Sequence, residues 1–302
     1  MYMANFGPEN TKKFAVRLLK WNKEVNTRKM PWKGEKDPYK IWLSEIILQQ
    51  TRVEQGWEYY NRFIAAFPAI KDLAQAKEST VYKMWEGLGY YSRCRNLIAT
   101  AKSIVKEKKA QFPGTYDEIL KLKGIGPYTA AAIASFAYNL PYAVLDGNVY
   151  RVLARIYGID IPIDTNEGKK YFAALSHALL DKNKPGVYNQ AIMDFGAVVC
   201  KPQAPLCPGC PFQKDCVAYN KGLINSLPAK SKKKVTRTRW FYYLVLSYQN
   251  RYLVHLRSQK DIWQHLYEFT LVEASTSLPI PRVLTLAEKH GLPVKSDYEL
   301  LA

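Results

Sequence analysis

The sequence predicts a mostly helical protein that ends in a smaller, β-containing segment. Three observations lead there. Apolar residues recur at spacings of three and four from Thr11 to about Leu227; a basic run, Lys230 to Arg239, follows Pro228; and beyond it the apolar residues fall into aromatic and β-branched runs. With 302 residues the chain has the length of about two average domains. The boundaries drawn from the pattern are a helical domain over 1–227, a linker over 228–238 and a second domain over 239–302.

Along the first domain, Asp37 is a good N-cap and Pro38 suits the first helical position, so a helix is expected to run through Ile41, Trp42, Ile46 and Ile47. Thr115-Tyr116-Asp117-Glu118 fits a capping box that closes on Glu118. A third helix, Asn148 to Tyr157, places Val149, Val152, Leu153, Ile156 and Tyr157 on one face and stops at Gly158. After the linker, Trp240 to Tyr248 and Tyr252 to Leu256 read as the arms of a hairpin turning at Gln249-Asn250-Arg251.

Composition bounds the function. Apolar residues make up 48% and charged residues 23%, which excludes a disordered, collagenous or mini-protein chain. The 44 Lys and Arg outnumber the 26 Asp and Glu, a net charge of +18 that points to a polyanionic partner, nucleic acid first and an anionic membrane second. Gly124 to Leu145 is uncharged, but Gly126, Pro127, Asn139 and Pro141 interrupt it, and it reads as a buried helix with flanking turns. Met1 to Asn10 lacks a basic segment followed by an apolar run, so a cytoplasmic, nucleoid-associated monomer with no membrane partner is expected.

Four cysteines fall close together as Cys-x6-Cys-x2-Cys-x5-Cys: Cys200, Cys207, Cys210 and Cys216, with Pro202, Pro205, Pro208 and Pro211 among them. In a reducing compartment this is a ligand set, and four thiolates satisfy either Zn²⁺ or a [4Fe–4S] cluster. Leu122-Lys123-Gly124-Ile125-Gly126-Pro127-Tyr128 lies between two helices, and its glycines allow a tight turn whose following helix offers free N–H groups to a phosphate. On the helix around Trp42, at about 100° per residue, Ile46, Leu43 and Ile47 share an arc, Gln50 falls inside it, and Glu45 and Gln49 sit at its edge. A carboxyl held at an apolar surface favours its protonated form. Asp146, before the third helix, lies at the positive end of the helix dipole, which favours the anion.

Together these motifs carry a family resemblance. The cysteine loop closely resembles that of the endonuclease III and MutY family of DNA repair glycosylases, and the Gly-Ile-Gly turn is similar to their helix-hairpin-helix. Ser44-Glu45-Ile46-Ile47-Leu48-Gln49-Gln50-Thr51, preceded by Met30-Pro31-Trp32, resembles MutY-type adenine DNA glycosylases. The resemblance implies a helix-hairpin-helix glycosylase fold, a six-helix module plus an iron-sulfur cluster module, with a [4Fe–4S] cluster on Cys200, Cys207, Cys210 and Cys216. It implies that Glu45 protonates N7 of adenine and later activates water, that Asp146 stabilises the sugar cation or traps it covalently, and that Tyr128 and Asn148 assist and position the groups around it. Lys123, Gly124 and Gly126 would hold the DNA backbone, and Gln50 and Tyr90, from Gly87-Leu88-Gly89-Tyr90-Tyr91-Ser92-Arg93, would act in base extrusion.

Tyr128 bears on the choice of relative. Endonuclease III-type lyases carry a lysine there, which forms a Schiff base; a tyrosine implies base removal without strand cleavage. The implied substrate is double-stranded DNA with adenine opposite 8-oxoguanine or guanine. The alternatives are an endonuclease III-like oxidised-pyrimidine glycosylase/lyase and an inactive DNA-binding homologue. Asp261-Ile262-Trp263 and Leu266-Tyr267-Glu268-Phe269 resemble the Nudix-like mismatch-recognition domain of MutY proteins, here expected in a partial, α+β form without a Nudix hydrolase box. Tyr91 is expected to pack in the core and Cys94 to be a buried small hydrophobe; His177, His255, His265 and His290 show no ligand spacing.

Overall fold

The computed structural model describes residues 8–231, 238–264, 266–289 and 291–292. The chain divides into two compact units, Met1–Ser231 and Lys232–Ala302. In the first, the helices are α1 (Pro8–Glu24), α2 (Pro38–Leu48), α3 (Val53–Ala66), α4 (Ile70–Gln75), α5 (Glu78–Trp85), α6 (Ser92–Glu107), α7 (Tyr116–Leu120), α8 (Pro127–Tyr138), α9 (Gly147–Tyr157), α10 (Asn166–Leu179), α11 (Pro185–Val198) and α12 (Val217–Asn220).

Two apolar clusters hold these helices. One gathers Trp42, Ile47, Phe63, Leu73, Trp85, Leu97 and Ile104 from α2 to α6. The other gathers Leu18, Val152, Leu153, Phe172, Ala191 and Phe195 from α1 and α9 to α11. Helix α8 serves both, giving Ala130, Ile133 and Ala134 to the first and Ala131 and Ala132 to the second. A helix apolar on all sides must be buried, and its small side chains let α2 and α11 pack closely against it. The uncharged stretch from Gly124 is therefore a core helix, and no described helix is long and apolar enough to cross a membrane.

Local signals set the ends. The Asp37 carboxylate accepts from the Tyr39 N–H at 2.9 Å and Pro38 opens α2. Gly158 ends α9 in the left-handed region, where a glycine carries no steric penalty. The capping box at Thr115 forms only by half: Thr115 accepts weakly from the Glu118 N–H at 3.4 Å, but Glu118 turns its carboxylate to the Thr115 hydroxyl and to Lys108, and α7 is only five residues long.

The second unit has β1 (Trp240–Leu244), β2 (Ser247–Tyr248), β3 (Arg251–Tyr252), β4 (His255–Leu256), β5 (Tyr267–Glu268), β6 (Thr270–Ala274) and α13 (Ile280–Lys289). The expected hairpin survives only as β2 and β3, turning on Gln249 and Asn250, both at positive φ. Trp240–Leu244 pairs instead with β6, and β4 with β5. Strand partners distant in sequence leave no local signal, so periodicity alone favoured the nearest arm. Of the basic segment, 232–237 lies outside the described residues, as do His265 and His290. The chain before it is bound to the first unit: Ala229 accepts from the Ile163 N–H at 3.1 Å, and Ser231 donates to Asp164 through its N–H at 2.9 Å and its hydroxyl at 2.6 Å.

Candidate active site

Glu45 lies on α2, where Tyr39 and every residue from Ile41 to Ile47 are buried. Only 7% of Glu45 is exposed. Burial pushes its carboxyl up to about 7; the hydroxyl of Tyr128 works against this, and the charge of Asp146 adds to it. The acid form is thus present at neutral pH. Tyr128, on the first turn of α8, stands with its hydroxyl between the Glu45 carboxylate and Met193 Sδ, to which it donates at 3.4 Å.

Asp146 caps α9. It accepts from the Val149 N–H at 2.8 Å and from Asn148 Nδ2 at 2.8 Å. The helix-dipole argument from sequence predicts a carboxyl favoured as the anion, but burial outweighs it and holds Asp146 above its ordinary value, while the Val149 and Asn148 bonds and the Arg151 charge oppose burial. Arg151, absent from the sequence reading, is 8% exposed; it donates to Asn148 Oδ1 at 2.8 Å, to the Gly196 carbonyl at 2.8 Å and to the Cys200 carbonyl at 2.7 Å. Asn148 is thereby fixed between a cation and Asp146. Gly196 is required here, since a Cβ would stand 2.6 Å from that of Asn148.

Glu45, Tyr128, Asp146 and Asn148 line one cavity of about 300 Å³, the lower end of the range for small-molecule sites, roughly 300–1,000 Å³. Its other walls include Gln190 and Met193 of α11 and Arg28, Met30 and Trp32 of the segment before α2. That segment is held by Asp194 of α11, fully buried, which accepts from Asn26 Nδ2 at 2.8 Å, Arg28 Nη1 at 2.9 Å, Lys33 Nζ at 2.8 Å and Gln190 Nε2 at 2.9 Å. Sequence reasoning missed Arg28, Gln190 and Asp194. A lone aspartate on a helix gives no sign of partners some 160 residues away.

The turn before α8 behaves only partly as its two glycines suggest. Gly124 has φ +80° and a Cβ there would meet Asn96 at 2.8 Å, whereas Gly126 is extended, with open space around it. The Thr100 hydroxyl pins the turn by donating to the Lys123 carbonyl at 2.8 Å. Lys123, Gly124 and Gly126 are all exposed, so the N-terminus of α8 faces solvent as an anion site would. Gly124→Val should lower the melting temperature and weaken binding to any duplex without sequence preference; unchanged binding by anisotropy would reject the turn's role.

Gln50 does not share the apolar arc of α2. The helix stops at Leu48, and Gln50 is exposed with φ +57°. Tyr90 is also at positive φ, +46°, and is 63% exposed. Tyr91 is half-buried and packs against the core, and Cys94 is fully buried.

Cys200, Cys207, Cys210 and Cys216 line a second, apolar cavity with Ile156, Phe195 and Val199. Arg155 stands beside it, its Nη1 donating to Cys200 Sγ at 3.6 Å and to the Lys201 carbonyl at 2.7 Å. Among the described residues no group of three His, Cys, Asp or Glu side chains is placed to hold a single metal ion.

A helical fold with an anion-facing hairpin and two carboxyls on one cavity defines a base-excision glycosylase scaffold. The chain belongs to the HhH-GPD superfamily of base excision DNA repair proteins, whose family model matches residues 43–176. It is 37% identical over 257 residues to the adenine DNA glycosylase of Buchnera aphidicola subsp. Schizaphis graminum, covering 85% of this chain and 74% of that protein. Among solved structures it is similar to a thermostable thymine-DNA glycosylase, at 28% identity and TM-score 0.64 over 70% of this chain and 98% of the other. A non-covalent endonuclease III–DNA complex shares the fold at 18% identity and TM-score 0.59, over 72% of this chain and 98% of that one.

Proposed function

We propose that this chain is a monofunctional adenine DNA glycosylase of MutY type that removes adenine opposite 8-oxoguanine or guanine in duplex DNA. The observation that carries this reading is the cavity shared by Glu45 and Asp146, with the carboxyl of Glu45 raised to about 7. Glu45 as the acid gives its proton to N7 of the extruded adenine. The C1′–N9 electron pair leaves with the base, and the resulting sugar cation faces Asp146, whose anionic form the Val149 N–H, Asn148 and Arg151 favour. Glu45, now a carboxylate, takes a proton from the water that adds at C1′. No lysine is among the residues lining the cavity, and Lys123 is exposed on the hairpin, which supports hydrolysis without a Schiff base.

The four cysteines line one apolar cavity and offer the four thiolates that a [4Fe–4S] cluster takes. Bound, the cluster would tie the 200–216 loop to itself through Fe–S bonds from its four cysteines, and none of the proton transfers above passes through it. Cys207→Ser should lose visible absorption and melt at lower temperature; an unchanged spectrum and melting curve would count against ligation.

The proposal is tested by single-turnover release of free base from duplexes carrying A opposite 8-oxoguanine, G or T, and T opposite G. Adenine release fastest opposite 8-oxoguanine, with no borohydride-trapped adduct, is the expected result. Thymine release, or a robust adduct, would move the chain to another branch of the superfamily.

A further inference from the structure

The two residues assigned above to base extrusion are each preceded by a peptide carbonyl that one side chain holds. Arg93, at the start of α6, donates from Nη1 to the Gln49 carbonyl at 2.5 Å and from Nη2 to the Gly89 carbonyl at 3.4 Å. These are the carbonyls of the peptide bonds leading into Gln50 and Tyr90, both at positive φ. Nη1 also reaches the Ile46 and Ile47 carbonyls at 2.9 and 3.2 Å, and Nη2 the Leu88 carbonyl at 3.0 Å.

We propose that Arg93 is a positioning residue for the reaction: its guanidinium locks the end of α2 to the 87–90 turn, so that Gln50 and Tyr90 act on the duplex as one rigid wedge. The planar fork suits the task, because its donors point in fixed and different directions, one nitrogen to each loop. The carbonyls at the end of α2 are those left free by the helix and carry the negative end of its dipole, which favours a cation there. The ring of Tyr90 lies 5.6 Å from the guanidinium carbon and that of Trp85 5.2 Å, so the same charge also bears on the wedge itself. The 87–90 turn is braced elsewhere, Trp85 Nε1 donating to the Gly89 carbonyl at 3.0 Å. Arg93 alone spans both loops among the bonds described. Gln49 and Thr51 line the catalytic cavity, so a wedge fixed at residue 50 is fixed relative to that cavity's rim. A compact ammonium cannot satisfy two separated sets of carbonyls, so Arg93→Lys should free the two loops from each other while keeping the charge.

This inference rests on the extrusion role given to Gln50 and Tyr90, and two readouts separate its failure from theirs. In the first, Arg93→Lys should release adenine about tenfold or more slowly from an A:8-oxoguanine duplex, yet within about twofold of the parent when the target adenine sits in an unpaired bubble, where extrusion costs least. An equal loss on both substrates, which a merely structural role gives, or no loss on the duplex, would overturn the proposal. In the second, 2-aminopurine beside the target reports unstacking in the Glu45→Gln background, with no need for base release. Adding Arg93→Lys should lower that signal, whereas adding it to a Gln50→Ala/Tyr90→Ala variant should change nothing further; a full additive loss would refute the coupling. If the parent released no adenine at all, the proposed function would fall, and the fluorescence arm would still decide the role of Arg93.

Discussion

Glu45→Gln is expected to abolish adenine release and, at the same time, to stabilise the fold above neutral pH. The two effects share a cause. The carboxyl of Glu45 is raised by burial from an ordinary 4.5 to about 7, so in the folded protein it keeps a proton that the unfolded chain gives up. Between about pH 4.5 and 7 the folded state binds more protons than the unfolded, and stability falls as pH rises through that window. Below it both states are protonated and the term vanishes; above it the full difference remains, up to about 3 kcal/mol at roughly 1.4 kcal/mol per pH unit. Glutamine keeps the shape but cannot ionise, so the variant should gain most of that difference at pH 8 and none at pH 4. For catalysis it removes the proton donor, and base release should fall by about 10²–10⁴ or more, while mismatch affinity stays near that of the parent. Parent activity should decline as pH rises through 7. Equal turnover by the glutamine variant, or a stability difference that does not depend on pH, would reject the assignment.

That the acid was legible in the sequence, and the state of its partner was not, has a physical explanation. Asp37-Pro38 and Gly158 are local stop and start signals, and both operate as read. Glu45 on one helix with Trp42, Ile46 and Ile47 already implied desolvation, because a carboxyl carried at the edge of an apolar helix face is taken toward the core with that face. Asp146 depends on more distant groups. Its helix N-terminus argued for the anion, but burial overrides it, and Asp146 sits where α9 packs against α11 in a cavity shared with Tyr128 and Glu45, which periodicity along α9 does not reveal. The phase of Gln50 failed for a related reason: a helical wheel assumes the helix continues, and α2 ends two residues earlier with its last carbonyls held by Arg93 of another helix. Of the two glycines in the hairpin, only Gly124 is demanded by its backbone angle. The second unit was hardest to read, since the partners of β1 and β6 are separated by some 26 residues.

A large loss of stability from one polar side chain should come from Asp194→Ala. Its carboxylate is fully buried and receives four donors, two of them the cations Arg28 and Lys33, which are 23% and 27% exposed. Removing one member of a buried pair leaves the others uncompensated and costs about 3–5 kcal/mol; the partial exposure of both cations places this case toward the lower end. The midpoint of urea unfolding should drop with little change in slope. The same bonds hold the Arg28–Lys33 segment and the Gln190 amide against the cavity, so losing them should also act on the site. Because none of these bonds is made to the glutamate or the aspartate of the reaction, the expected pattern is weaker substrate binding with the neutral-pH titration of Glu45 retained. A shift of the activity profile to that of an ordinary carboxyl would show that Asp194 governs the environment of the acid, and a cost under about 1 kcal/mol would show that the network is a surface pair in its energetics.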